Sequence, residues 1–192
     1  MRNASLIGIP VLLAFGYFVA KWALAGTVNG ERLVALGGMY HWSAQTAIVL
    51  IWSIRMVRTR ETSGSFWGDF KTTFKPLVFY AALAAGTVWG WNHVIAADAT
   101  ELRKSLRLAQ IEEVTSSDEA YESFLESQGN VGASAIPDRL TYREQAEAQV
   151  EWMLSGGVTL VLSMMTYLFA ALILALTSTF LLHHIWGISS LS

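Results

Sequence analysis

From Trp152 to Trp186 the chain contains no Asp, Glu, Lys or Arg. Surface helices of soluble domains alternate apolar and charged faces, so a run of this kind is not one of them. It is long enough to cross a hydrocarbon core about 30 Å thick and to project or tilt beyond it. A second apolar run, from Leu6 to about Ala25, carries Lys21 as its sole charge. Charged residues make up 15% of the 192 residues, against about 25% in an average soluble domain, and they are gathered between the apolar runs. The pattern predicts an all-α polytopic membrane protein. We place four transmembrane helices at about 6–25, 32–57, 76–97 and 154–185, with an extramembrane helical hairpin over 98–151 between the third and fourth.

The first run is too long for the apolar region of a signal peptide, and Thr27-Val28-Asn29-Gly30 is a poor cleavage site. Pro10 falls in its first turns, where a missing N–H costs little. Lys21 and Trp22 suit a snorkelling cation and an interfacial ring. The second run holds Gly37-Gly38, Tyr40, His41, Trp42 and Gln45 before the cleaner stretch Ala47–Ile54. Its outer half is too polar to face lipid and should face other helices. Gly86 and Gly90 in the third run have small-xxx-small spacing, which suggests a close helix contact.

Between the second and third runs lie Arg55, Arg58, Arg60, Lys71 and Lys75, with an aromatic set of Phe66, Trp67, Phe70 and Phe74. Phe66, Phe70 and Phe74 recur at i, i+4 and i+8 and share one helical face, with Asp69, Lys71 and Lys75 off it. Such a segment suits the headgroup boundary; it equally suits the first turns of the third helix packing on the second. Short loops orient a membrane protein by Lys and Arg. This basic connection therefore goes to the cytoplasm of a cell bounded by an inner membrane. Both termini follow it there, and residues 98–151 are extracytoplasmic.

Residues 98–151 contain twelve acidic and five basic side chains, a net charge of −7. Helix formers dominate. Leu102, Leu106 and Ala109 share one face, and Tyr121, Phe124 and Leu125 make another. Gly129–Pro137 breaks the pattern, and Thr141-Tyr142-Arg143-Glu144 has the spacing of a capping box. The expectation is a hairpin whose arms continue the third and fourth spans. Gly156-Gly157, Ser163, Ala170, Ala171 and Ala175 give the last span a small-residue face.

The sequence I-W-S-I-R-M-V-R-T-R at 51–60, followed by S-G-S-F-W-G-D-F-K-T-T-F-K at 63–75, resembles an uncharacterised family of small bacterial membrane proteins. In that family a span ends in a basic Tyr-Arg-type motif, and a Gly and Phe-Gly-x-x-Phe lead into the next span. Here Trp67 separates the Phe from the Gly, and Met56-Val57 replaces the usual aromatic. Many members have a Glu and then Pro-x-Gly leading into the last span; only Glu151 stands near that place here. The resemblance implies four spans and a long charged helical insert between the third and fourth. It implies no activity.

His41 and His93 are the candidate cofactor ligands. The predicted topology puts both in the outer half of the bilayer on neighbouring antiparallel helices, where two histidines can hold a haem or metal. The competing reading is interhelical hydrogen bonding beside Trp42, Trp89 and Trp91, and it is favoured because a metal site needs more ligands and a second shell. No cofactor is therefore assigned. His183 and His184 are adjacent and point apart on a helix, so they form a poor chelate and suit the cytoplasmic boundary. Glu144, Glu147 and Glu151 recur on one helix face, which solvation explains. Cysteine is absent, which excludes disulfides, thiolate metal sites and thiol catalysis. No phosphate loop, zinc-protease motif or nucleophile elbow occurs, so an enzyme is not expected. The few basic residues hug the membrane, which argues against nucleic-acid binding. The expected partners are the lipid bilayer and a protein partner or second copy. The expected role is a structural or accessory subunit of a membrane complex, with an oligomeric small transporter or channel as the alternative and a haem or metal protein third.

Overall fold

The computed structural model describes residues 4–25, 27, 30–59, 65–127 and 137–184. Among these the chain is all-α. Its seven α-helices are α1 (Ala4–Leu24), α2 (Gly30–Thr59), α3 (Phe66–Gly90), α4 (Ala97–Val114), α5 (Asp118–Ser127), α6 (Arg139–Met153) and α7 (Gly156–His184). A π-helical turn, Trp91–Ile95, follows α3. Of the helices, α1 from Ile7 onward and α7 are long and apolar enough to cross a membrane. The chain divides into two compact units. One comprises Met1–Val88 and Val161–Ser192, the other Trp89–Leu160. Arg60, Ser63-Gly64, most of the Gly129–Pro137 break and Trp186 lie outside the described residues.

In the first unit, α2 explains itself by its register. From His41 onward its buried positions are His41, Ala44, Gln45, Ile48, Val49, Trp52, Ser53 and Met56, alternating steps of three and one, which is one face of an α-helix. Three of these are polar. The opposite face shows Met39, Trp42, Leu50, Ile51, Ile54 and Val57. The helix is thus inverted relative to a soluble one: polar groups sit inside and apolar groups outside. Averaged along its length, that mixture hides how apolar the outer face is. On α3 the buried face is Asp69, Thr73, Pro76, Leu77, Tyr80, Ala81, Ala84 and Ala85, and on α7 it includes Ala170, Ala171, Ala175, Ser178, Thr179 and Leu182. Of the expected small-residue face of α7, Ala170, Ala171 and Ala175 are buried, whereas Gly157 is exposed and Ser163 half-buried. Ile48, Val49, Trp52, Leu77, Tyr80, Ala84, Ala171 and Ala175 pack with Ala14 and Ala44 into one apolar core.

Hydroxyls inside this unit are satisfied locally. Thr73 donates to the Asp69 carbonyl (3.1 Å), Thr179 to the Ala175 carbonyl (2.8 Å) and Ser53 to the Val49 carbonyl (2.8 Å). This i−4 bonding lets a hydroxyl sit in an apolar interior without a remote partner. Ser53 Oγ also meets Ser178 Oγ at 2.6 Å, a direct link between α2 and α7.

Several expectations need correction. The third helix starts at Phe66, so of the two readings of the aromatic segment the one that makes it the first turns of this helix holds. Pro76 is interior to the helix and buried. Likewise α1 starts at Ala4, which places Pro10 beyond the first turn. A Cβ at Gly86 or Gly90 would meet no atom within 4 Å, so this pair makes no close contact among the described residues. The close approaches are at Gly16, Gly37 and Gly156.

In the second unit, the arms of the hairpin are separate helices rather than continuations of the long ones. The π-turn and Ala96 interrupt the chain before α4, and Leu154-Ser155 interrupts it between α6 and α7. Ser155 caps α7, its hydroxyl accepting from the Val158 amide (3.3 Å). Asp138, not Thr141, caps α6. Its carboxylate accepts from the Leu140 and Thr141 amides (3.1 and 3.0 Å) and from the Thr141 hydroxyl (2.7 Å), the preferred N-cap arrangement. The capping-box spacing misplaced the helix start because a better acceptor lies three residues earlier. α4 runs beside α6, with Lys104 paired to Glu151 at 3.2 Å. Tyr121, Phe124 and Tyr142 cluster with ring centroids 5.3 to 6.5 Å apart. The Tyr121 hydroxyl donates to the Pro137 carbonyl (2.9 Å), and Arg139 donates to the Thr115 carbonyl (2.7 Å). The Tyr121–Phe124 face is thus used. The Leu102–Leu106 face is not: those side chains are 60% and 57% exposed.

Candidate functional site

His41 is 1% exposed and stands inside a cage of four tyrosines. Its ring centroid lies 4.2 Å from that of Tyr17, 4.8 Å from Tyr167, and 5.9 Å from both Tyr40 and Tyr80. The cage draws on four helices of the first unit: α1, α2, α3 and α7. Two glycines make it possible. A Cβ at Gly37 would lie 2.7 Å from the Tyr17 hydroxyl, and a Cβ at Gly16 would lie 3.2 Å from the Tyr40 hydroxyl. Each helix of the α1–α2 pair thus offers a glycine to the other's tyrosine. The Tyr40 hydroxyl then donates to the Leu13 carbonyl at 2.8 Å.

The hydrogen bonds of the cage are incomplete. His41 Nδ1 shares a 2.8 Å bond with the Tyr80 hydroxyl. Gln45 Nε2 donates to the Tyr167 carbonyl at 3.1 Å. Among the described residues, His41 Nε2 and Gln45 Oε1 are buried with no hydrogen-bond partner. Each such group costs about 1–3 kcal/mol if left unpaired. A cavity of about 170 Å³, lined in part by Lys21, Leu33 and Leu36, reaches Tyr17 and Tyr40 at the edge of the cage.

His93, the other histidine singled out in the sequence, belongs to the second unit. Its Nε2 bonds the Thr159 hydroxyl at 3.1 Å, and Trp89 lies beside it at 6.3 Å between ring centroids. A Cβ at Gly156 would come 3.0 Å from Trp89 Nε1, so that glycine seats the Trp89–His93 pair. A haem or metal bound by His41 and His93 would have to open the ring cage over His41 Nε2 and displace Thr159 from His93. These surroundings fit hydrogen bonding rather than ligation. Among the described residues no three metal-ligating side chains come together.

A second buried polar pair was not legible in the sequence. Asp69, expected off the aromatic face, is 1% exposed and meets His183 Nε2 at 2.9 Å. His184 instead bonds the Phe180 carbonyl and stacks on the Phe180 ring. The two adjacent histidines do point apart. Around the Asp69–His183 pair the aromatic set forms a chain: Phe66 to Trp67 (5.4 Å), Trp67 to Phe70 (5.8 Å) and Phe70 to Phe74 (5.2 Å), with Phe66 also 5.8 Å from His183. Trp67 is the exposed member; Phe66, Phe70 and Phe74 are half-buried. Lys71, Lys75 and Arg58 are exposed and Arg55 is half-buried.

The chain matches no protein-family model, no curated protein and no solved structure.

Proposed function

We propose that the chain is an integral membrane protein in which α1, α2, α3 and α7 cross the bilayer, and that it serves as a structural or accessory subunit of a membrane complex. The inverted side-chain distribution of the first unit supports the four spans. His41, Gln45, Ser53, Asp69, Thr73, Ser178 and Thr179 are inside, while Leu12, Phe15, Met39, Ile54, Met165 and Phe169 are outside. Lipid is the solvent that such a surface suits, and interior polar groups are its counterpart. In this reading the protein lies in the inner membrane, with Arg55, Arg58, Arg60, Lys71 and Lys75 at the cytoplasmic face, both termini on that side, and residues 98–151 outside. The resemblance to a four-span family of unknown activity is consistent with it.

The observation that carries the accessory role is the unused face of α4. Leu102 and Leu106 are exposed on a hairpin that this topology places in water, where exposed apolar groups mark interaction surfaces. The partner is a protein, either a different subunit or a second copy. Native mass spectrometry of the gently extracted protein tests this. Companion mass is expected for the wild type and not for the Leu102→Asp/Leu106→Asp variant. Retention of every companion by that variant would contradict the role given to this face.

The buried His41 and Gln45 favour a second reading, an oligomeric small transporter or channel, since polar groups within spans line pathways. Liposome flux that His41→Ala and Gln45→Leu leave unchanged would exclude it.

A further inference from the structure

We propose that His41 and Gln45 hold one buried water molecule between them, which makes His41 a proton-exchanging position inside the helix bundle. The two residues are four apart on α2, so their side chains lie side by side on one face. Both are 1% exposed, and each has one polar atom paired and one not. One N–H of Gln45 Nε2 donates to the Tyr167 carbonyl, which orients the amide and leaves Oε1 as an acceptor. The role of His41 Nε2 depends on its tautomer. If the Tyr80 hydroxyl donates to Nδ1, Nε2 carries the proton; if Nδ1–H donates to Tyr80, Nε2 is an acceptor. Water fits both cases. It accepts from Nε2–H or donates to bare Nε2, and its remaining hydrogen goes to Gln45 Oε1.

Size and chemistry select water over other ligands. Four tyrosine rings enclose the imidazole, with centroids 4.2–5.9 Å away, leaving no opening for a planar cofactor. One imidazole and one amide are too few ligands for a metal. Buried waters typically bridge otherwise unpaired polar groups of this kind. A cavity of about 170 Å³ lies on the far side of Tyr17 and Tyr40, two of the rings that enclose His41. Exchange of the held water past these two rings would carry protons to and from Nε2.

Water-edited magic-angle-spinning NMR on the full chain, labelled with ¹⁵N-histidine and reconstituted in liposomes, tests this directly. His41→Gln identifies the His41 signals. In the wild type, water magnetisation is expected to reach His41 Nε2. In Gln45→Leu that transfer should fall at least tenfold, while the hydrogen-bonded Nδ1 signal facing Tyr80 persists and reports an intact cage. Relay through the Tyr80 hydroxyl would reach Nδ1 and is distinguished in this way. Absence of transfer to Nε2 in the wild type overturns the proposal, and so does undiminished transfer in Gln45→Leu.

Discussion

Asp69 and His183, separated by 114 residues in the chain, share a 2.9 Å hydrogen bond, with the Asp69 side chain 1% and the His183 side chain 9% exposed. It joins the first turn of α3 to the last turn of α7. A buried hydrogen-bonding group left without its partner retains its desolvation penalty. Asp69→Ala should therefore lower the stability of the purified protein by about 2 kcal/mol, read as a reduced denaturation midpoint in detergent. Asp69→Asn keeps an acceptor and should lose less. Equal midpoints for wild type and Asp69→Ala would show that the pair carries no stability.

Gly37 and Tyr17 yield a paired prediction. An alanine methyl at Gly37 would sit 2.7 Å from the Tyr17 hydroxyl, so the ring has to move out of its place against His41. Overpacking of this kind costs about 1–3 kcal/mol. Tyr17→Phe removes the offending oxygen. Gly37→Ala in the Tyr17→Phe background should therefore cost clearly less than in the wild type, a non-additivity that a double-mutant cycle measures.

The sequence reading reached the all-α class and the two long apolar helices α1 and α7 through runs with little or no charge, and it reached the polar face of α2 through Tyr40, His41 and Gln45. Those signals are local. It missed the Asp69–His183 pair because nothing near Asp69 announces a partner 114 residues away, and because three phenylalanines beside it drew a face that seemed to exclude it. The start of α6 was misplaced for a different reason. The spacing from Thr141 to Glu144 imitates a capping box, while Asp138, just after Pro137, supplies a stronger acceptor. The Gly86–Gly90 spacing misled in a third way, since a glycine pair needs a facing helix, and its spacing says nothing about one.

The Asp138 cap gives a pH prediction. Hydrogen bonds from Thr141, through its hydroxyl and its amide, hold the Asp138 carboxyl below its usual range, with the Leu140 amide contributing. A carboxylate lowered in the folded state stabilises it above the unfolded carboxylate value, about 3.9, and that contribution is lost as pH falls through the folded value. At neutral pH the Leu140 and Thr141 amides should exchange hydrogen more slowly in the wild type than in Asp138→Ala. On acidification to below the folded value, the difference, corrected for intrinsic exchange, should vanish. A difference that persists there would mean the cap acts without its charge.

Opposite-side placement of the α2–α3 connection and the hairpin is the claim on which the proposed topology rests. The chain has no cysteine, so single cysteines report cleanly. Thr59 and Ser105 are both exposed, one at the end of α2 and the other on α4. Labelling intact cells with a membrane-impermeant maleimide should modify Ser105→Cys at once, and Thr59→Cys only after permeabilisation. If α1 and α7 alone crossed the bilayer, both positions would face the same side, so equal labelling of the two variants would contradict the four-span account.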